Sequence, residues 1–117
     1  MTEYNRPPGK TTVSPEVLTS IARMAVLSVP GVSKLAPVPG GVDRIFRRGA
    51  DEGVRITVHE NTVLADIYII VKDDVNMREV GRNVQQQVVR AIQEMVAMDV
   101  AQVDIHIENI TYEGTEA

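Results

Sequence analysis

Two stretches in which apolar and polar residues alternate, joined by one short polar turn, constrain the fold of this chain most strongly. The alternation runs over residues 54–59 and again over residues 63–71, so that every second side chain is Val, Ile or Ala. Side chains two positions apart lie on the same face of a β-strand. Glu60-Asn61-Thr62 lies between the stretches and is typical of a turn. The sequence therefore predicts an antiparallel β-hairpin with one apolar face.

A first helix is predicted to begin at Pro15. Ser14 is expected to cap this helix with its side chain, Pro15 favours the first helical φ, and Glu16 complements the helix dipole. Apolar residues cover more than one stripe of the helix, which predicts deep burial or contact with a partner. Pro30-Gly31 ends the helix, and residues 32–38 are predicted to form a short extended segment.

A second helix and a final strand are predicted after the hairpin. Asn76, with Glu79 three residues later, resembles a capping box, and apolar residues recur on one side of the helix up to about Met98. Apolar and polar residues alternate again over residues 103–107, in a strand that ends near Tyr112. We expect three methionines to fill the core between the helices, namely Met24, Met95 and Met98.

Together these elements predict an α+β fold of two layers. Two helices pack on one face of a three- or four-stranded mixed sheet, in the chain order α-β-β-β-α-β. Residues 14–113 are predicted to form a single domain, preceded by a flexible tail (residues 1–13) and followed by a short tail (residues 114–117). Residues 37–53 are rich in proline, glycine and arginine, which predicts a long loop of the kind that often carries function.

The composition disfavours several classes of function. The 117 residues have a formal net charge of -4 and include three Tyr, one Phe and no Trp, which argues against nucleic-acid binding through a basic surface or base stacking. The chain has no Cys, which excludes disulfides, thiolate catalysis and Cys-ligated zinc. No serine stands in a recognisable nucleophile motif. We therefore predict that the protein is not an enzyme and needs no cofactor.

The sheet face opposite the helices, called here the open face, is the first candidate site. Strand parity assigns to it a mixture of apolar, aromatic and charged side chains, whereas a purely solvated face would be more polar. We interpret the open face as a docking or self-association surface with aromatic and apolar anchors. The alternative is a half-solvated sheet with scattered apolar residues. The candidate residues are Leu64, Tyr68, Ile70, His106 and Ile110.

Two histidines on the same predicted face, His59 and His106, are candidate ligands for a divalent cation together with neighbouring carboxylates. Their spacing matches no recurring ligand motif. Polar residues alternate with apolar ones in any half-exposed strand, which explains the pattern without a metal ion. We therefore predict no metal site.

The second candidate site is a basic stretch within residues 37–53. It is the only concentrated basic stretch that includes an aromatic residue, and we expect it either to contact anionic lipid or an acidic partner or to be a solvated loop. Its residues are Arg44, Phe46, Arg47 and Arg48. No apolar stretch approaches the roughly 20 residues that span a bilayer, so we predict no direct membrane insertion. The first residues lack the apolar segment of a secretion signal, which predicts a cytoplasmic location.

Several short motifs occur in an order that resembles the bacterial alkaline-shock protein family. The resemblance covers about residues 9–113, and the chain differs from family members in its arginine-rich loop and at Lys72-Asp73-Asp74. The motifs are the helix start Pro15-Glu16-Val17, the helix stop Val29-Pro30-Gly31-Val32, the strand Val63-Leu64-Ala65-Asp66-Ile67-Tyr68-Ile69-Ile70-Val71 and the closing strand Val103-Asp104-Ile105-His106-Ile107.

The resemblance implies a non-enzymatic, cytoplasmic protein of the envelope stress response of Gram-positive-type bacteria. It further implies that the protein forms a homo-oligomer and is held peripherally at the inner face of the cell membrane by an integral-membrane protein or by related family members. It implies no catalytic residues. The residues themselves leave one alternative, a small-ligand or metal-binding regulator associated with lipid metabolism that uses His59, His106 and the nearby carboxylates.

Overall fold

A computed structural model of the protein describes residues 8–39 and 53–112. These ranges confirm the predicted α+β fold and the chain order α-β-β-β-α-β. The basic stretch, with Arg44, Phe46, Arg47 and Arg48, lies outside the described residues. The elements are helix α1 (Pro15–Leu27), strands β1 (Val32–Leu35), β2 (Val54–His59) and β3 (Thr62–Lys72), helix α2 (Met77–Val96) and strand β4 (Asp99–Thr111).

The predicted hairpin is formed by β2 and β3. Their antiparallel register runs from Val54 opposite Ile67 to His59 opposite Thr62. Two residues connect the strands, Glu60 with φ 51° and Asn61 with φ 65°. Positive φ at both central positions is the geometry of the two-residue turn that matches the right-handed twist of paired strands. The turn therefore fixes the register and directs one face of the hairpin to the core.

Strand β3 is the centre of the sheet. β4 runs parallel to β3 along its whole length and occupies one of its edges. β2 pairs with residues 62–67 of β3 and β1 with residues 69–71, both antiparallel, so the two shorter strands lie end to end along the other edge. The change of partner occurs at Tyr68. Its N–H donates to the carbonyl oxygen of Gly53 and its carbonyl oxygen accepts from the N–H of Ala36, both at 2.8 Å.

Strand β4 contains two irregularities that the alternation of residues did not predict. The register with β3 skips Ala101 and again skips Glu108. Each inserted residue reverses the parity of the positions that follow it, as β-bulges do. Ile110 consequently lies opposite Val71 and packs on the helix-covered core. The prediction that Ile110 belongs to the open face is therefore wrong.

Both helices cover the same face of the sheet and pack against each other. Met24 and Met95 are 62% and 61% exposed on the outer side of their helices, so only Met98 packs against the core as predicted. No helix within the described ranges is both long enough and apolar enough to cross a membrane. The largest fully buried side chains are Leu18, Val26, Val63, Ile67, Ile69, Val71, Val84, Val88 and Ile92.

The helix ends confirm one predicted cap and correct another. The side-chain oxygen of Asn76 accepts from the N–H of Glu79 at 3.0 Å, as the capping box predicts. Ser14 makes no side-chain cap; its backbone carbonyl accepts from the N–H of Val17 at 3.0 Å instead. Ala97 takes a left-handed conformation with φ 57° and ends α2. Because the chain turns there at once, β4 begins at Asp99, earlier than the predicted strand.

Candidate interaction face

The open face is built by side chains from neighbouring strands in register. β3 contributes Leu64, Asp66, Tyr68 and Ile70, because these alternate with the buried core residues of the same strand. Residues directly opposite each other in a sheet share a face. The opposing residues in β4 are Gln102, Asp104, His106 and Asn109.

Tyr68 is not an exposed anchor of this face. It is only 7% exposed, because it forms a small second cluster with Ala36 and Val38, each 2% exposed. These two residues belong to a covering segment, residues 36–39, that follows β1 and lies over the open face. The side chain of Arg55 donates to the carbonyl oxygen of Pro39 at 3.2 Å and ties the segment to β2. The prediction of an uncovered Tyr68 is therefore wrong.

Tyr68, His106 and Asp66 form an ordered polar cluster at the border of this cover. The rings of Tyr68 and His106 stack, with centroids 4.4 Å apart and planes inclined by 13°. His106 Nε2 lies 3.0 Å from Asp66 Oδ1. A carboxylate only accepts hydrogen bonds, so in this contact Nε2 carries the proton. The imidazole is thereby held in one orientation by a ring on one side and a carboxylate on the other.

The accessible part of the open face is smaller than the sequence indicated. The side chains of His106 and Asp66 are 39% and 34% exposed. Leu64 is half-buried, and Ile70 is half-buried against the Tyr68 cluster. These four residues place two apolar groups beside an imidazole and a carboxylate. Such a surface offers apolar contact together with hydrogen-bond partners that fix orientation.

The two histidines do not meet. His59 pairs with Thr62 at one end of β3, whereas His106 pairs with Tyr68. At about 3.3 Å per residue, these positions of β3 are about 20 Å apart. In the part of the chain that the structure describes, no three His, Asp or Glu residues are grouped so that they could hold a metal ion.

Three contacts of this site were not predicted from the sequence. The sequence predicts carboxylates near His106 on the open face, but the pairing of Asp66 with His106 depends on the parallel register of β3 and β4. The cover by Ala36 and Val38 and its tie to Arg55 join residues far apart in the chain. A weak signal exists for the cover, because Ala36 and Val38 alternate with prolines in a segment, residues 35–42, that contains no charged side chain.

A single family model matches most of the chain. A model of the alkaline-shock protein family, described as having a cell envelope-related function, matches residues 3–112. An uncharacterized protein of Streptococcus pyogenes serotype M6, Spy1535, is 32% identical over 108 residues, which cover 92% of this chain and 83% of the relative. An uncharacterized protein of Bacillus subtilis, YqhY, is 26% identical over 107 residues, 90% of this chain and 79% of the relative.

Solved structures with a similar fold include C-terminal domains named MamM CTD. The copper form superposes with a TM-score of 0.60 at 17% sequence identity, covering 88% of this chain and 91% of that domain. A zinc form of a variant gives a TM-score of 0.58 at 16% identity, covering 86% and 91%. At this level of identity, the likeness concerns the fold alone.

Proposed function

Because the chain belongs to the alkaline-shock protein family, whose function is related to the cell envelope, we propose that it is a non-enzymatic adaptor of the envelope stress response. In this role it self-associates and is held at the inner face of the membrane by an integral-membrane partner. The accessible part of the open face, formed by Leu64, Asp66, Ile70 and His106, contacts that partner. The basic stretch around Phe46 adds attraction to an acidic partner or to anionic lipid.

The observation that most supports this proposal is that side chains of the open face hold one another in fixed positions. Its imidazole is stacked on Tyr68 and hydrogen-bonded to Asp66, so its position is fixed before any partner arrives. Binding to a pre-organised surface loses less side-chain entropy than binding to free side chains. Half-exposed Leu64 and Ile70 flank the polar cluster and provide the apolar area that interfaces bury.

The proposal is tested by removing the apolar part of the face and measuring partner recovery in native cells. The Leu64→Ser and Ile70→Ser double variant keeps the Tyr68–His106–Asp66 cluster. After mild cross-linking, proteins retained from the membrane and soluble fractions are quantified by mass spectrometry. We expect recovery of an integral-membrane protein to fall about tenfold, since a few apolar anchors supply most of the energy of an interface.

The matched control replaces two exposed apolar residues outside the open face, Val58→Ser and Met95→Ser, which are 42% and 61% exposed. This variant should recover the partner at the unaltered level. Circular dichroism of both variants verifies that their helices remain folded. Full recovery with the Leu64 and Ile70 variant, or exclusive recovery of soluble metabolic enzymes with the unaltered chain, would contradict the proposed role of the face.

A further inference from the structure

Strand β4 has a long edge with no neighbouring strand among the described residues. It spans 13 residues, and within the described ranges only β3 pairs with it. Proteins usually protect such edges with lysine, proline or a cover, because unpaired N–H and C=O groups attract another strand. The sequence from Asp99 to Thr111 contains no Lys, Arg or Pro. Two side chains contact its backbone in the described structure: Gln85 donates to the carbonyl oxygen of Val103 at 3.0 Å, and Asn109 Oδ1 accepts from the N–H of Ile110 at 2.8 Å.

A groove runs beside this edge and leaves apolar side chains half-exposed. Its volume is about 600 Å³, and one wall is a stripe of α2 that carries two positive charges and consists of Met77, Arg78, Gly81, Arg82 and Gln85. Ile105 and Ile107 form the β4 side of the groove and are only half-buried. Gly81 has no side chain to close the groove over Ile105. A strand added at this edge would cover both isoleucines and satisfy the unpaired backbone groups at the same time.

Charge complementarity between opposite side chains favours one register for a second strand at this edge. We propose that the occupant is a second copy of this chain, whose β4 pairs antiparallel with β4 about a two-fold axis at Ile105. This inference rests on the proposed self-association and assigns it to one edge. Antiparallel pairing about Ile105 places Asp104 opposite His106 of the second copy, and His106 opposite Asp104 of the second copy. This register brings no like charges together, and each Asp104–His106 pair becomes an ion pair when the imidazole is protonated.

Neighbouring registers lack this complementarity. An axis at Asp104 would place the two Asp104 carboxylates opposite each other, and an axis at His106 would place Asp104 opposite Glu108. Like charges directly opposite each other destabilise strand pairing. The register at Ile105 also keeps its central pairs between the irregularities at Ala101 and Glu108, where β4 is regular. Pairing at this edge joins the two sheets into one and leaves Leu64, Asp66 and Ile70 of both open faces free for the membrane partner.

Cysteine cross-linking tests the geometry in the full chain, which has no native Cys. The Ile105→Cys variant places two thiols at the axis, within the Cα separation that disulfides accept, since opposite residues are about 4.5–5.5 Å apart. We expect a disulfide-linked dimer to form under mild oxidation. The control Ile56→Cys lies half-buried on the same sheet face in β2, away from β4, and should remain monomeric on a non-reducing gel.

A charge substitution tests the same register without new covalent bonds. Asp104→Lys places a cation opposite His106 of the second copy, twice in each dimer, and should raise the dimer dissociation constant about tenfold in sedimentation experiments. Thr57→Lys adds a cation on the same face of the opposite edge and should leave the constant unchanged.

The outcomes separate this inference from the proposed function. Suppose that the chain self-associates, but that Ile105→Cys cross-links no faster than Ile56→Cys and Asp104→Lys dimerises normally. The β4 edge is then not the interface, whereas the proposed self-association stands. A chain that is monomeric at every concentration overturns both. A monomeric chain that binds an extended peptide of another protein at β4 assigns the edge to a foreign strand and likewise overturns pairing between copies.

Discussion

The aromatic ring of Tyr68 stacks on the imidazole of His106 at a centroid distance of 4.4 Å while its other surroundings, Ala36 and Val38, shield it from solvent. The tyrosine therefore connects the covering segment to the polar cluster of the open face. Its burial means that it contributes to stability and to the placement of His106, and reaches a partner only through its neighbours.

We expect Tyr68→Ala to lower the free energy of unfolding by about 3 kcal/mol, because it removes a buried aromatic side chain and its stacking contact with His106. Chemical denaturation monitored by circular dichroism measures the change. Met95→Ala provides the control, since Met95 is 61% exposed and its loss should cost about 0.5 kcal/mol or less. Equal effects of the two substitutions would show that the cover over Tyr68 does not form in solution.

Gly53 occupies a position that other residues fit poorly. Its φ is +82°, and an added Cβ would lie 2.6 Å from Leu35 Cβ and 2.9 Å from the carbonyl oxygen of Tyr68. Gly53→Ala should therefore destabilise the protein by about 2 kcal/mol or more, through backbone strain and the clash with β1 and β3. The melting temperature provides the measurement.

Gly81→Ala should have the opposite sign and is the control for Gly53→Ala. Gly81 is helical, and its added Cβ would meet only Ile105, at 3.9 Å. Alanine in a helix interior is about 0.5–1 kcal/mol more favourable than glycine, so the melting temperature should rise. A stabilised Gly53→Ala variant would argue against the positive φ of the residue that precedes β2.

Ala97 ends α2 in a left-handed conformation that costs an alanine more than a glycine. Ala97→Gly should therefore stabilise the protein by about 0.5–1 kcal/mol, as measured by denaturant titration. Ala91→Gly lies within the same helix and should destabilise by about 1 kcal/mol. If both substitutions destabilise to the same extent, α2 continues beyond Val96 and the early start of β4 is wrong.

The proposed contribution of the basic stretch is electrostatic. Replacing Arg44, Arg47 and Arg48 with Ser should reduce recovery of the chain in the membrane fraction, with the loss greatest at low ionic strength. The control replaces three other exposed cations, Lys10, Lys72 and Arg90, with Ser and so removes the same total charge. It should have a smaller effect on membrane recovery. Equal membrane recovery of the two triple variants would mean that total charge, and not this stretch, determines attachment.

The alternative of a metal-binding regulator predicts a different thermal response. A ligand that binds only the folded state raises the melting temperature by mass action. Since His59 and His106 are far apart and His106 is paired with Asp66, we expect zinc or copper ions to leave the melting temperature unchanged. A rise that disappears in His106→Ala but persists in His59→Ala would support a metal site on the open face.

Much of the fold was predictable because its signals are local. The start of α1 at Pro15, the cap at Asn76 and the turn at Glu60-Asn61 each depend on residues within one turn of helix or hairpin. The position of Ile110 was not predictable, because one residue inserted in β4 reverses its face and nothing in the alternation marks Glu108 as that residue. The cover over Tyr68 depends on contacts between distant segments, which periodicity does not encode.

The two hydrogen bonds of the Tyr68 backbone also determine how freely this chain can vary. Ala36 and Gly53 are both bonded to that one residue, so the sheet holds the two ends of the intervening chain at a fixed separation. The entropy of closing a loop grows slowly with its length, by only about 0.6 kcal/mol for each doubling. Insertions between these anchors should therefore cost little stability, and related proteins can acquire new recognition sequences there while the sheet remains unchanged.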